Sequence, residues 1–210
     1  MTASASPSPP VDLKDPYTAT LLSLVFPGLG HLYQGRVAKG ILFALCVGGL
    51  FLLGAYIGSS AKFGPCRVVY FSLRSPEDMR YYFFGQVWIG LPAAPALLQY
   101  MVDPTGQEPI LGGLMAPPIL KSAQYSPRGV ERRDYQDPNL PTSDNIRQYL
   151  NRNFELGTIF TVVAGLLNIF VLLDAYSGPF PEKEEENEGK ENDKNDKSPD
   201  FSEKYNERKK

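Results

Sequence analysis

One run constrains this chain more than any other: Pro27-Gly28-Leu29-Gly30-His31-Leu32-Tyr33-Gln34-Gly35-Arg36-Val37-Ala38-Lys39-Gly40. It holds four glycines, a proline, two cations and the single histidine of the chain. Apolar stretches flank it at residues 17–26 and 41–57. Glycine and proline at this density cannot continue an ordinary helix, so the run reads as a tight turn between two antiparallel hydrophobic helices.

The remaining charge-free runs extend that pattern into an all-α membrane protein. We expect about four transmembrane helices, at 16–33, 40–60, 81–102 and 155–176. A helix over 16–33 would be ~27 Å long, enough to cross a hydrocarbon core. Pro16 suits a first helical turn, and Pro27 should kink or loosen the end. The first ten residues carry no cation, and no small-residue cleavage site follows the first apolar run. Retention as a helix is therefore expected rather than removal as a signal peptide. The 40–60 run carries Gly54 and Gly58, a small-xxx-small pair that lets helix backbones approach. Tyr81, Tyr82, Phe83 and Phe84 form an aromatic collar before the third run, and Pro92 with Pro95 predict a break inside it.

Mean hydropathy is -0.22, but that average is diluted by polar segments, and local windows decide a membrane assignment. The organisation expected is a disordered segment 1–15, a helical membrane domain 16–180 and a disordered charged tail 181–210. Loops occupy 59–80 and 103–142. Ile110 to Leu120 is apolar enough to lie on a membrane surface, and Val68 to Phe71 to form a short extended or interfacial piece. Ser143 can cap a short amphipathic helix over 143–153, with Ile146, Tyr149, Leu150 and Phe154 on one face.

The net charge of -2 comes without a basic stripe, so no nucleic-acid partner is expected. Two cysteines and one histidine supply neither a disulfide framework nor a zinc site. We expect no metal and no cofactor. No Ser/His/Asp set, phosphate loop or intramembrane carboxylate pair is present, so no catalytic residue is assigned and an enzyme is not expected. The partners expected are the lipid bilayer and other membrane proteins.

Three groups of polar residues stand out. His31, Tyr33, Arg36 and Lys39 can form a polar cluster in the first turn, suited to an anionic headgroup or a peptide. The plain alternative is an interfacial tyrosine with snorkelling cations. Asn168 is a polar site at membrane depth, with an amide bonded to a neighbouring helix as its plain alternative. Lys14 and Asp174 should share a side and form a structural pair. Gln86 and Gln99 sit nearer the span ends, where interfacial water would solvate them. Four spans put both termini together, and the four cations of the loop 62–80 favour cytoplasmic termini with the 27–40 turn outside.

Pro27-Gly28-Leu29-Gly30-His31, Tyr33, Gly35-Arg36 and Lys39-Gly40, preceded by Ala19, Leu21 and Leu22, together resemble the two-helix membrane domain called the TM-two domain. The Arg-Phe step usual after the histidine is missing. The aspartate ending expected after the second helix stands instead at Leu172-Leu173-Asp174-Ala175-Tyr176. The arrangement is similar to an uncharacterised bacterial multi-pass family, a domain of unknown function related to that domain. Its recurring stretches correspond here to residues 90–96 and 157–168. The resemblance implies a cell-membrane location and a helical fold, and no reaction. The expected role is structural, a component that binds lipid or membrane proteins. The alternative is a small transporter or channel subunit.

Overall fold

A computed structural model describes residues 14–73, 79–102, 109–119 and 137–178. All lie in the unit Met1–Gly178, and the unit Pro179–Lys210 falls outside the described residues. So do the tail 181–210 and residues 1–13 of the expected N-terminal segment.

The chain begins with a helix half the length expected. Helix α1 (Pro16–Val25) is capped by Asp15, whose Oδ2 accepts from the Thr18 amide at 2.9 Å and its hydroxyl at 2.6 Å. Those bonds hold the exposed Asp15 carboxyl below its ordinary range. Phe26 is extended, Pro27 supplies no amide donor, and Gly28 takes a left-handed φ of 88°. The chain reverses there, and helix α2 (Leu29–Tyr33) runs back along α1. The approach is close enough that a Cβ on Gly30 would stand 1.9 Å from the Ala19 carbonyl. At ten residues α1 is ~15 Å long, half of a hydrocarbon core. Residues 16–33 are therefore a helical hairpin that returns to its starting end, not a single span.

Helix α3 (Val37–Ile57) follows an elbow at 34–36 and is unbroken, with one wide π-helical turn at Ala44–Gly48. After it, residues 58–73 fold back under the bundle. Val68 and Val69 are fully buried, a core role that the expected loop at 59–80 did not foresee.

A second hairpin starts at that far end. Helix α4 (Phe83–Gln86) tightens into a 3₁₀ turn at Val87–Ile89, and Gly90 (φ 88°) reverses the chain. The tight turn Leu91–Ala93 and helix α5 (Ala94–Val102) lead back. Phe71 fixes this return, with its ring 5.1 Å from Phe83 and 4.7 Å from Tyr100. The expected span 81–102 is thus also a hairpin, broken because only glycine is at ease with the backbone at position 90.

Residues 111–119 supply Met115, Ala116 and Ile119 to the core rather than lying on a surface. Helix α6 (Ser143–Leu150) is capped by Thr142, one residue before the expected cap, through Thr142 Oγ1 and the Asn145 amide. Asn151 (φ 48°) ends it. Helix α7 (Arg152–Ser177) then runs the length of the molecule, antiparallel to α3. Gly54 meets Gly157 at one end, where an added Cβ on either would lie within 2.9 Å of the other's carbonyl oxygen. Lys39 meets Asp174 at the other.

Among the described residues the fold is all-helical, with two helices long and apolar enough to cross a membrane, α3 and α7, each of mean hydropathy 2.3. That is two fewer than the four expected. The order is hairpin, long helix, hairpin, long helix, and the second pair runs opposite to the first. The hairpin tips come together beside α7, where a Cβ on Gly90 would stand 1.7 Å from the Leu24 carbonyl.

Candidate functional site

Helix α7 turns one polar stripe inward. Thr158, Thr161, Gly165, Asn168 and Ala175 share a face at helical spacing and are all buried. Each polar residue of the stripe serves a different part of the bundle.

At the far end, Arg80 is buried before the second hairpin. Its Nη2 donates to the Val68 carbonyl and to Thr158 Oγ1, each at 2.9 Å. Three rings surround the guanidinium, Tyr70 at 4.7 Å, Phe154 at 5.0 Å and Tyr82 at 5.1 Å. Burial draws the Arg80 pKa below its ordinary value. One turn inward, Gln86 Nε2 donates to Thr161 Oγ1 at 2.7 Å and to the Val68 carbonyl at 3.2 Å. Gln99 Nε2 donates to the carbonyls of Ile110 and Leu114. Both glutamines are buried with protein partners rather than solvated at an interface.

At mid-height, Asn168 is fully buried and holds both hairpin tips. Its Nδ2 donates to the Trp88 carbonyl at 2.8 Å and to the Ser23 carbonyl at 3.2 Å. Proline and glycine at the tips free carbonyls from the helical ladder, and this carboxamide meets them. An apolar groove of about 350 Å³ opens beside the junction, lined by Leu24, Val25, Val87, Gly90, Leu91 and Leu97 among others.

At the near end, Asp174 is the hub. His31 Nε2 lies 2.7 Å from Oδ2, Arg36 Nη2 lies 3.2 Å from the same oxygen, and Lys39 Nζ lies 3.4 Å away. His31 is fully buried, Asp174 is 25% exposed and Lys39 is 51% exposed. Gln34 Nε2 donates to the Ala175 carbonyl at 2.8 Å. The ring of Phe43, just before the π-helical turn, packs edge-on to His31 at 4.9 Å.

The expected cluster is thus divided. His31, Arg36 and Lys39 converge on Asp174, whereas Tyr33 faces away under Lys14, whose ammonium lies 5.0 Å from its ring centroid. The expected pair of Lys14 and Asp174 is replaced by these contacts. The physical reason is the hairpin: because α2 returns, residues 31–39 stand at the same end as Asp174, not across the bundle from it. Tyr17 against Tyr176, at 5.7 Å, marks the same end.

Sequence reasoning passed over Gln34, Arg80, Thr158 and Thr161. The helical spacing of Thr158, Thr161 and Asn168 was the available signal. The buried polar atoms lacking a hydrogen bond among the described residues are His31 Nδ1, Gln34 Oε1, Arg80 Nε, Gln86 Oε1 and Asn168 Oδ1, all on α7 or on side chains that bond to it. Among the described residues no group of three or more His, Cys, Asp or Glu side chains is placed to hold a metal ion. Cys66 is buried, which pushes its thiol up to about 12, and Cys46 is exposed on α3.

No curated protein and no solved structure matches this chain. The pattern of one family of unknown function does match, over residues 18–188, which takes in both hairpins and both long helices. The chain belongs to that family, DUF6677.

Proposed function

We propose that this chain is an integral membrane protein with a structural or interaction role. In this reading α3 and α7 span the bilayer, and the two hairpins enter it from opposite faces and stop at mid-depth. The observation that carries it is the outward surface of the long helices. In their most apolar windows only 28% of α3 and 44% of α7 is buried, whereas the core helix of a soluble protein is mostly buried. Leu45, Leu52, Leu53, Ile159, Phe170 and Leu173 face outward, a surface suited to hydrocarbon. Irregular backbone at membrane depth is tolerated only where protein covers it. The tips meet that condition by packing on each other and on Asn168.

The polar stripe is spent on holding the parts together, which favours a scaffold over a catalyst. Lipid and other membrane proteins are the partners in this reading. Both chain ends of the described domain lie on one side of the bilayer. Lys14, Arg36 and Lys39 stand there, against Lys62, Arg67, Arg80, Arg147 and Arg152 at the opposite end among the described residues, so the cation bias no longer selects cytoplasmic termini.

The second reading, a transporter or channel subunit, draws on the opposed repeat. Paired half-depth segments in two inverted halves are how many carriers build a midplane site. Two measurements separate the possibilities. Alkaline carbonate washing of membranes should leave the chain in the pellet, and its release into the wash would end the membrane reading. Proteoliposomes should show no solute or ion flux above empty vesicles, and saturable flux would replace the scaffold with the carrier. Crosslinking in native membranes would then identify partners.

A further inference from the structure

We propose that His31 and Asp174 form a proton-binding site that fastens the first hairpin to α7 and frees the elbow at 34–36 when it is loaded. The site is built rather than incidental. The imidazole is fully buried, its Nε2 lies 2.7 Å from Asp174 Oδ2, and its Nδ1 has no hydrogen-bond partner among the described residues. A bond between imidazole and carboxylate needs one proton between them, so the unloaded pair carries Nε2–H donating to a charged carboxylate. Nδ1 then holds a lone pair. Asp174, a quarter exposed, is the end that water reaches.

Loading adds one proton from water and breaks no bond within the protein. The pair passes from neutral imidazole with carboxylate to imidazolium with carboxylate, or to imidazole with carboxylic acid. In both cases its charge rises from minus one to zero, and the step belongs to the pair as a unit. The groups facing it decide the consequence. From the elbow and α3 come Arg36 and Lys39, both on Asp174, and the uncharged ring of Phe43. From α7 come Asp174 itself and Tyr176. At the start of α1, Tyr17 packs on Tyr176, Asp15 is bonded to Thr18, and Lys14 lies over Tyr33, away from the pair. Before loading, Arg36 and Lys39 share one negative pair. After loading they face a neutral pair and only each other, so their hold on α7 weakens.

The chain has one histidine, so the full-length protein labelled with ¹⁵N-histidine in lipid nanodiscs reports on the site without assignment. The imidazole ¹⁵N signals should change in a single step as the pH is lowered. Removing the anion with Asp174→Asn should lower the midpoint by about one unit or more, and Arg36→Gln should raise it. A spin label at Val37→Cys, with Cys46 replaced by serine, should gain mobility on acidification with the wild-type midpoint. In His31→Gln that gain should vanish. Imidazole ¹⁵N signals that do not move with pH, a midpoint unmoved in Asp174→Asn, or a mobility change that persists without His31 would each overturn the proposal. The Asp174→Asn shift reads the pair directly even if His31→Gln does not fold.

Discussion

The two hairpins reach the same point by different means. The first, α1 with α2, is held at its open end by charge: one carboxylate gathers a histidine, an arginine and a lysine. The second, α4 with α5, is held at its open end by aromatic rings and by hydrogen bonds from one buried arginine to uncharged oxygens. The first joins its long helix directly through a short elbow, so it needs no scaffold. The second is followed by a long connection before α7, and residues 58–73 and 109–119 pack beneath it instead. The reach of each hairpin is set by its tip, where Gly28 and Gly90 reverse the chain, while the open ends are free to use different chemistry.

The comparison breaks most severely at the tips. Gly90→Val puts a side chain into the Leu24 carbonyl and forces a left-handed backbone on a β-branched residue. It should cost about 3 kcal/mol or more and unseat both hairpins, as read by unfolding in mixed detergent micelles. A wild-type midpoint for this variant would mean that the tips do not meet.

Next comes Arg80→Gln, which removes charge-assisted bonds from the second hairpin and should cost about 2–3 kcal/mol. Hydrogen exchange should rise in residues 83–102 and stay unchanged in residues 16–33. Asn168→Leu should cost about 1–2 kcal/mol, because hydrogen bonds between membrane helices are individually modest. Unlike Arg80→Gln, it should loosen both hairpins together. The smallest effect belongs to Lys39→Gln, whose half-exposed ammonium contributes under about 1 kcal/mol. Added salt should mimic it at the first hairpin and leave the second alone. Cys66 adds a check on the scaffold beneath the second hairpin: with its thiol pushed up to about 12 by burial, it should resist maleimide at neutral pH until the protein unfolds.

Much of the helical content was legible because it is written in runs of apolar residues. The long helices α3 and α7 follow from charge-free stretches without proline, and their existence needs no tertiary information. The hairpins were harder for a specific reason. Residues 16–33 and 81–102 are long and apolar enough to cross, and a proline within such a run is equally compatible with a kink. What decides for reversal is the left-handed backbone at Gly28 and Gly90, which composition does not reveal. Once the first run turns back, the connections change ends while both ends of the described domain stay together. Asp174 then meets His31 rather than Lys14, and the cations at 62–80 move to the opposite end. Gln86 and Gln99 were read as interfacial because an unbroken helix would place them near its ends. In a hairpin they face the bundle interior. Val68 and Val69 were missed because a fully buried stretch in a polar, proline-bearing segment carries no periodicity.

In the proposed membrane reading each hairpin returns to the face it entered. Single cysteines at Lys14, Ala38, Lys62 and Ser177, in a chain without native cysteines, can be probed with a membrane-impermeant maleimide on sealed vesicles of known orientation. Positions 14, 38 and 177 should react from one face and position 62 from the other. Reaction of position 38 from the face opposite position 14 would restore a full crossing to residues 16–33 and contradict that reading.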